Sequence, residues 1–325
     1  MIHQLGRRAV LGASLAAVCP SAVFAGTDRT GTLDGNGPVT LLLGDQRGAI
    51  RSILKSAGQL EGLPYRIQWA FFPVGAPLIA AVASSALDFG YVGDATATFA
   101  FASARPLKVI TVWKTDGAGS ALVVRRGSTA RTMRDLVGRR VAFVKGSPGH
   151  LLVIAALKRE GLAPDQIVAT PLSAANARTA LANGSIDAWA IWDPFIATVE
   201  IEDHARILMT AHGLVDEVEC GIANQEAITQ KRGELLDFMA RVNKALLWGN
   251  THQEERARGF SQDSGVPLDV ARLTSSRLHM MPLNHVTDEA IAIHQRVADL
   301  YHSAGIIPSP IDVAEFYDRS FIIPG

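Results

Sequence analysis

The stretch SIDAWAIWDPF, residues 185–195, decides the fold. With a side-chain period of two, Ala188, Ala190 and Trp192 face one way while Trp189 and Ile191 face the other, as in a buried strand. Asp193 then reads as a helix N-cap, and Pro194 as the first helical residue, where its missing N–H costs nothing. The strand hands over directly to a helix. In open α/β sheets that junction, at the carboxyl end of a strand, is where ligands sit, and Trp192 would stand at its lip.

The same alternation runs outward in both directions. On the N-terminal side the spacing predicts strands at VTLLLG, YRIQWAFF, LDFGYVG and LKVITVW, with helices over about Ala49 to Gln59, GAPLIAAVASSA and about Thr96 to Ala104. KTDGAGS (Lys114–Ser120) is a glycine-rich break. A second block follows it: ALVVRR, RRVAFV, the helix HLLVIAALKREG, IVATPL, the helix AANARTALANG, and the quoted strand. Strands alternating with helices imply parallel sheets with crossover helices, and two such blocks imply two lobes. The remainder is mostly helical and is expected to pack back on the first lobe, giving a hinged α/β molecule with a cleft. Lobe I is assigned 38–117 with 218–325, and lobe II 118–217.

Composition narrows the function. The 325 residues carry 31 basic and 31 acidic side chains, so no charge excess points to nucleic acid or a membrane surface. At 48% hydrophobic residues the chain can bury a large core. Arg7 and Arg8 precede the apolar run AVLGASLAAV, and VFA (Val23–Ala25) offers small residues for cleavage, so residues 1–25 read as a secretory signal of the Sec or twin-arginine type. Residues 26–37, polar and glycine-rich, read as a loose leader. Cleavage would remove Cys19 and leave Cys220 alone, so an exported protein forms no internal disulfide; Cys220 is assigned as a buried inert thiol.

Three glycine-containing loops each follow a strand and open a helix: GDQRG (Gly44–Gly48), GDAT (Gly93–Thr96) and KGSPGH (Lys145–His150). Helix starts present unpaired N–H groups and the positive end of the dipole, so each is a candidate anion site. Asp94 and Ser147 either cap their helices or touch the ligand. His150 is either a satisfied polar residue of a first helical turn or a donor to an anion. Arg47 is the natural cationic partner, or a solvated charge. Trp192 can supply an aromatic wall for an organic substituent, with Phe71 and Phe72 adding apolar surface, while Trp189 belongs to the core. No nucleophile elbow, P-loop, dinucleotide fingerprint or metal-ligand spacing occurs, so neither a metal nor a cofactor is expected.

At these residues the chain resembles the periplasmic substrate-binding proteins of ABC importers for aliphatic sulfonates, taurine and nitrate, above all the alkanesulfonate-binding type. The resemblance runs from about Val39 to Phe321 and is carried by FPVGAPLIAAVASSALDFGYVGD, VAFVKGSPGHLLVIAALKREGL and LSAANARTALANGSIDAWAIWDPF. It implies a type II binding-protein fold, a monomer that captures a small oxyanion without chemistry, and delivery to a membrane permease. It places ligand contacts on Gln46 and Arg47, on Gly93, Asp94, Ala95 and Thr96, on Ser147, Gly149 and His150, and on Trp192 and Asp193. Family members often carry GSSSH where this chain has GSPGH, and an acid where Phe71 stands. Those departures imply a less polar pocket, suited to a sulfonate with a bulky or aromatic substituent rather than taurine, whose ammonium would want an acidic partner. The alternatives are a desulfinase-like or thiamine-precursor-synthase-like enzyme on the same scaffold, or a receptor for nitrate, bicarbonate or a thiamine-precursor pyrimidine.

Overall fold

The computed structural model describes residues 38–324. The assigned signal and leader lie outside them. The chain builds two sheets in turn. In the first block β1 (Thr40–Gln46), α1 (Ala49–Ser56), β2 (Arg66–Phe72), α2 (Gly75–Ala83), β3 (Phe89–Gly93), α3 (Asp94–Ala102) and β4 (Lys108–Thr115) follow the sequence alternation closely. The chain then crosses into β5 (Ser120–Val124), β6 (Arg140–Phe143), α4 (Pro148–Arg159), β7 (Val168–Pro171), α5 (Ala174–Ala182), β8 (Ala188–Trp192), α6 (Phe195–Glu202) and β9 (Arg206–Thr210). It returns through β10 (Glu217–Ala223) and finishes with α7 (Gln225–Gln230), α8 (Arg232–Thr251), α9 (Gln253–Ser264), α10 (Leu268–Arg277), β11 (Met280–Pro282) and α11 (Asp288–Ser303).

The first sheet has the order β11-β4-β10-β3-β1-β2 and the second β7-β6-β8-β5-β9. The sheets are mixed rather than parallel throughout. β1 runs parallel to β2 and β3, and β6 to β7 and β8, each pair joined through a helix. β10 lies antiparallel to β3 and β4, and β5 antiparallel to β8 and β9. The physical reason is local: β5 and β10 are entered from the other sheet across short segments, with no helix to turn the chain back into register.

Period-two alternation sorts side chains onto opposite faces, and the cores follow. Leu41, Leu43, Phe89, Tyr91 and Trp113 pack with α1 and α8 on one face of the first sheet. Val92, Val112, Cys220 and Ile222 pack under α2, α3 and α11 on the other. In the second sheet Ala188 and Ala190 join α4, while Trp189 and Ile191 join α5 and α6, as the quoted stretch implies; Trp192, expected with the alanines, packs instead beside the second group, where the strand ends and its ring meets Phe195. Trp189 is completely enclosed.

Two helix starts differ from the sequence reading. α6 begins at Phe195, with Pro194 as its N-cap residue on a cis peptide bond from Asp193. Asp193 still serves the helix, because its Oδ1 accepts from the Ala197 N–H at 3.0 Å. α3 begins at Asp94, two residues earlier than expected, because the extended Gly93 caps it and frees Asp94 to turn inward.

α10 also reaches across to the second sheet's helices. Ala197 of α6 packs with Ala257, Phe260, Val270 and Ala271 of α9 and α10. Arg277, at the end of α10, pairs with Asp193 at 3.3 Å and with Glu200 of α6. The Asp193 side chain is 1% exposed, so this contact is a buried ionic clasp between α10 and the end of β8.

Candidate ligand-binding site

Between the sheets lies a cavity of about 290 Å³ lined by the carboxyl ends of β1, β3, β6 and β8 and by the helix starts that follow them. At the β1 end, Asp45 turns back on α1: its carboxylate accepts from the Ile50 and Arg51 N–H groups at 3.2 and 2.9 Å. Burial pushes its pKa up to about 6 against the lowering effect of those bonds. Gln46 donates its side-chain N–H to the Tyr91 carbonyl at 3.0 Å, which fixes the loop against β3. Arg47 and Gly48 both adopt left-handed backbone conformations. The turn aims the Arg47 guanidinium across the cleft, 4.7 Å above the Phe195 ring.

α2 and α3 start without a side-chain cap, at Val74 and Gly93. Their first turns contribute Gly75, Ala76 and Thr96 to the wall, so backbone donors face the cavity. On the opposite side Ser147 caps α4, its Oγ accepting from the His150 N–H at 3.3 Å, and Lys145 and Pro148 flank it. Trp192 closes this side, half-buried, with its ring edge-on to Phe195 at 6.1 Å. Helix ends from both sheets, the Arg47 and Lys145 cations and an indole therefore line one space, an arrangement suited to a small anion with an organic substituent.

Of the residues singled out in the sequence, Gln46, Arg47, Gly93, Thr96, Ser147, Trp192 and Asp193 line the cavity. The others stand behind its wall. Asp94 is 1% exposed and accepts from the Ala95 and Val218 N–H groups at 2.6 and 2.9 Å; burial raises its pKa to about 7. Ala95 is fully enclosed beneath it. His150 stacks on Phe143 at 4.3 Å and accepts from the Gly146 N–H through Nδ1. Burial, helped by the Lys145 charge, holds its ring down to about 4, so it is neutral at ordinary pH. Gly149 is a packing glycine: a Cβ there would sit 2.4 Å from the Ala190 carbonyl oxygen. Phe72 packs with the core beneath α2, and Phe71 is 51% exposed.

The cavity also holds residues that the sequence reading passed over. Glu217 and Glu219 point from β10 onto its floor, beside Tyr91 and Trp113, whose rings lie 4.3 Å apart. Burial pushes both carboxyls up to about 8, with the Asp94 charge adding to it in each case. Their signal was present: in EVEC acids alternate with buried Val218 and Cys220, so one face of a core strand is polar. Arg256 and Thr274, from α9 and α10, complete the far wall, and no local motif marks them.

A model of the family described as NMT1/THI5 like matches residues 73–256. The chain belongs to the NMT1/THI5-like family. Among its relatives, an Escherichia coli (strain K12) chain named "Putative aliphatic sulfonates-binding protein" is 29% identical over 283 residues, covering 86% of this chain and 88% of that one. The alkanesulfonate-binding protein SsuA from Xanthomonas axonopodis pv. citri, solved bound to MOPS, is similar in structure with a TM-score of 0.79 at 28% identity, covering 87% of this chain and 99% of that one. The periplasmic aliphatic sulphonate binding protein SsuA from Escherichia coli superposes equally well, at 0.79 and 27% identity over 89% and 95%. This NMT1/THI5-like chain thus has the two-sheet periplasmic binding protein fold. The desulfurization enzyme DSZB shares only the fold, at 14% identity and a TM-score of 0.62.

In this NMT1/THI5-like chain Cys220 is free and wholly buried. Its Sγ lies 3.9 Å from His294 Nδ1 and 3.8 Å from the Tyr317 hydroxyl. Burial raises its pKa well above the ordinary thiol value, and it does not line the cavity. A thiol so placed is a core side chain rather than a nucleophile.

Proposed function

We propose that this chain is an extracytoplasmic solute receptor that captures a small organosulfonate, without chemistry, and delivers it to an ABC-type permease. The observation that carries the reading is the convergence of the α2, α3 and α4 starts, from two different sheets, on one cavity walled by Trp192 and flanked by Arg47 and Lys145. Backbone donors at helix ends suit three equivalent oxygens, and the indole covers the carbon substituent. The volume of about 290 Å³ is larger than an inorganic ion needs. A relative solved with MOPS, a sulfonate carrying a ring, supports a substituent of some bulk.

The lobes of the receptor are residues 38–117 with 218–325, and residues 118–217. The ligand bridges them, so it favours the closed arrangement. The receptor acts as a monomer in the periplasm, reached through the Sec or twin-arginine route.

Calorimetric titration of the mature protein with hexanesulfonate, benzenesulfonate, nitrate and bicarbonate tests the reading. The sulfonates bind and the inorganic ions bind far more weakly. Trp192→Ala loses about ten- to a hundredfold in sulfonate affinity, the cost of about 1–3 kcal/mol of aromatic contact. Tighter binding of nitrate or bicarbonate than of any sulfonate overturns the assignment.

A further inference from the structure

The cavity wall carries a second set of polar side chains, on α1, α9 and α10 rather than at the α2, α3 and α4 starts on which the function rests. Ser52 of α1, Arg256 of α9, and Thr274 and Ser275 of α10 all line it. They are sealed from bulk solvent, with 2, 6, 5 and 2% of their surface exposed respectively. Arg256 gives one donor, Nη1, to the Leu278 carbonyl at 3.0 Å and forms no ion pair among the described residues. The Thr274 hydroxyl is buried with no hydrogen-bond partner. Their neighbours include Ile53, Leu246 and Phe260, so nothing apolar can satisfy what remains of the guanidinium.

A buried cation without a counter-charge is costly, and so is an unmet hydroxyl. Burial lowers the Arg256 pKa only to about 10, which leaves it charged at neutral pH. The carboxylates of the cavity do not relieve it. Asp45 is committed to the N–H groups of α1, Asp116 to the Ala118 N–H and the His279 ring, Asp193 to Arg277, and neither Glu217 nor Glu219 forms an ion pair with it. A planar guanidinium fork, with a hydroxyl on the adjoining helix lining the same cavity, matches the paired oxygens of a carboxylate, which a ligand can bring.

We propose that Arg256 and Thr274 form a second acceptor-binding subsite in the cavity, and that the ligand is a sulfonate whose organic arm ends in a carboxylate. This rests on the sulfonate reading and narrows it. The sulfonate sits at the helix starts, the arm passes Tyr91 and Trp113, and the carboxylate meets the guanidinium.

The test compares propane-1-sulfonate with 3-sulfopropanoate, its analogue bearing a terminal carboxylate, by calorimetry at one ionic strength. In the unaltered mature protein the carboxylated ligand binds at least tenfold more tightly. Arg256→Gln brings the ratio to within about twofold, and the near-isosteric Thr274→Val reduces it about threefold. If Arg256→Gln does not fold, Arg256→Lys, which keeps the charge but not the fork, lowers the ratio in its place. Equal binding of the two ligands by the unaltered protein, or a preference that survives both the Arg256 and Thr274 changes, overturns this proposal alone. Failure of both ligands to bind overturns the sulfonate reading and this proposal with it.

Discussion

Glu217 and Glu219 make the charge of the cavity floor depend on pH. Burial, with the Asp94 charge, holds both carboxyls near 8, so at neutral pH they are largely protonated donors on the floor of the cavity. Glu217 also feels Asp116, on the first crossing. Above that range they become carboxylates facing an anion. Sulfonate affinity therefore falls by about tenfold between pH 7 and 9 at fixed salt, and Glu219→Gln flattens the profile; calorimetry at each pH reads it. Stability follows the same sign. A folded-state carboxyl raised above its unfolded value near 4.5 binds its proton more tightly in the native protein, so its contribution is lost as pH climbs through about 8. His150, held down to about 4, acts oppositely but only below its ordinary value of 6.5. The urea midpoint accordingly declines between pH 7 and 9, and a midpoint that rises there refutes the account.

At the scale of elements, α4 meets β8 in the tightest backbone approach at any glycine among the described residues. The Cβ absent from Gly149 would meet the Ala190 carbonyl oxygen at 2.4 Å and its carbon at 2.7 Å, both backbone atoms that cannot rotate aside. Gly149→Ala costs about 1–3 kcal/mol by overpacking, visible as a lower urea midpoint with an unchanged slope. The elements themselves were legible because local rules specify them. Alternation set β1 to β8, and Ser147 stood as a candidate cap for α4, which begins at Pro148, two residues before the stretch HLLVIAALKREG. The reversed direction of β5 and β10 was not legible, since direction depends on where a strand pairs rather than on its own residues. Nor were Arg256 and Thr274, which reach the cavity from helices more than two hundred residues beyond β1 in the chain.

At the scale of the molecule, the Arg277 clasp joins α10 to Asp193 and α6, while the Tyr301 hydroxyl of α11 donates to the Ser147 carbonyl at 3.3 Å. Removing one partner of a buried ion pair strands the others, so Arg277→Met lowers stability by about 3–5 kcal/mol and widens the molecule in small-angle scattering of the ligand-free protein. Glu200→Gln, which leaves the Asp193 contact, has a smaller effect on both. The clasp has a kinetic consequence. Any motion that parts α10 from α6 must first break both contacts of this guanidinium, so a capture step that needs that motion levels off in rate at high guest concentration, at the frequency of the break. Added salt, by loosening the latch, raises the plateau even as it weakens the final grip.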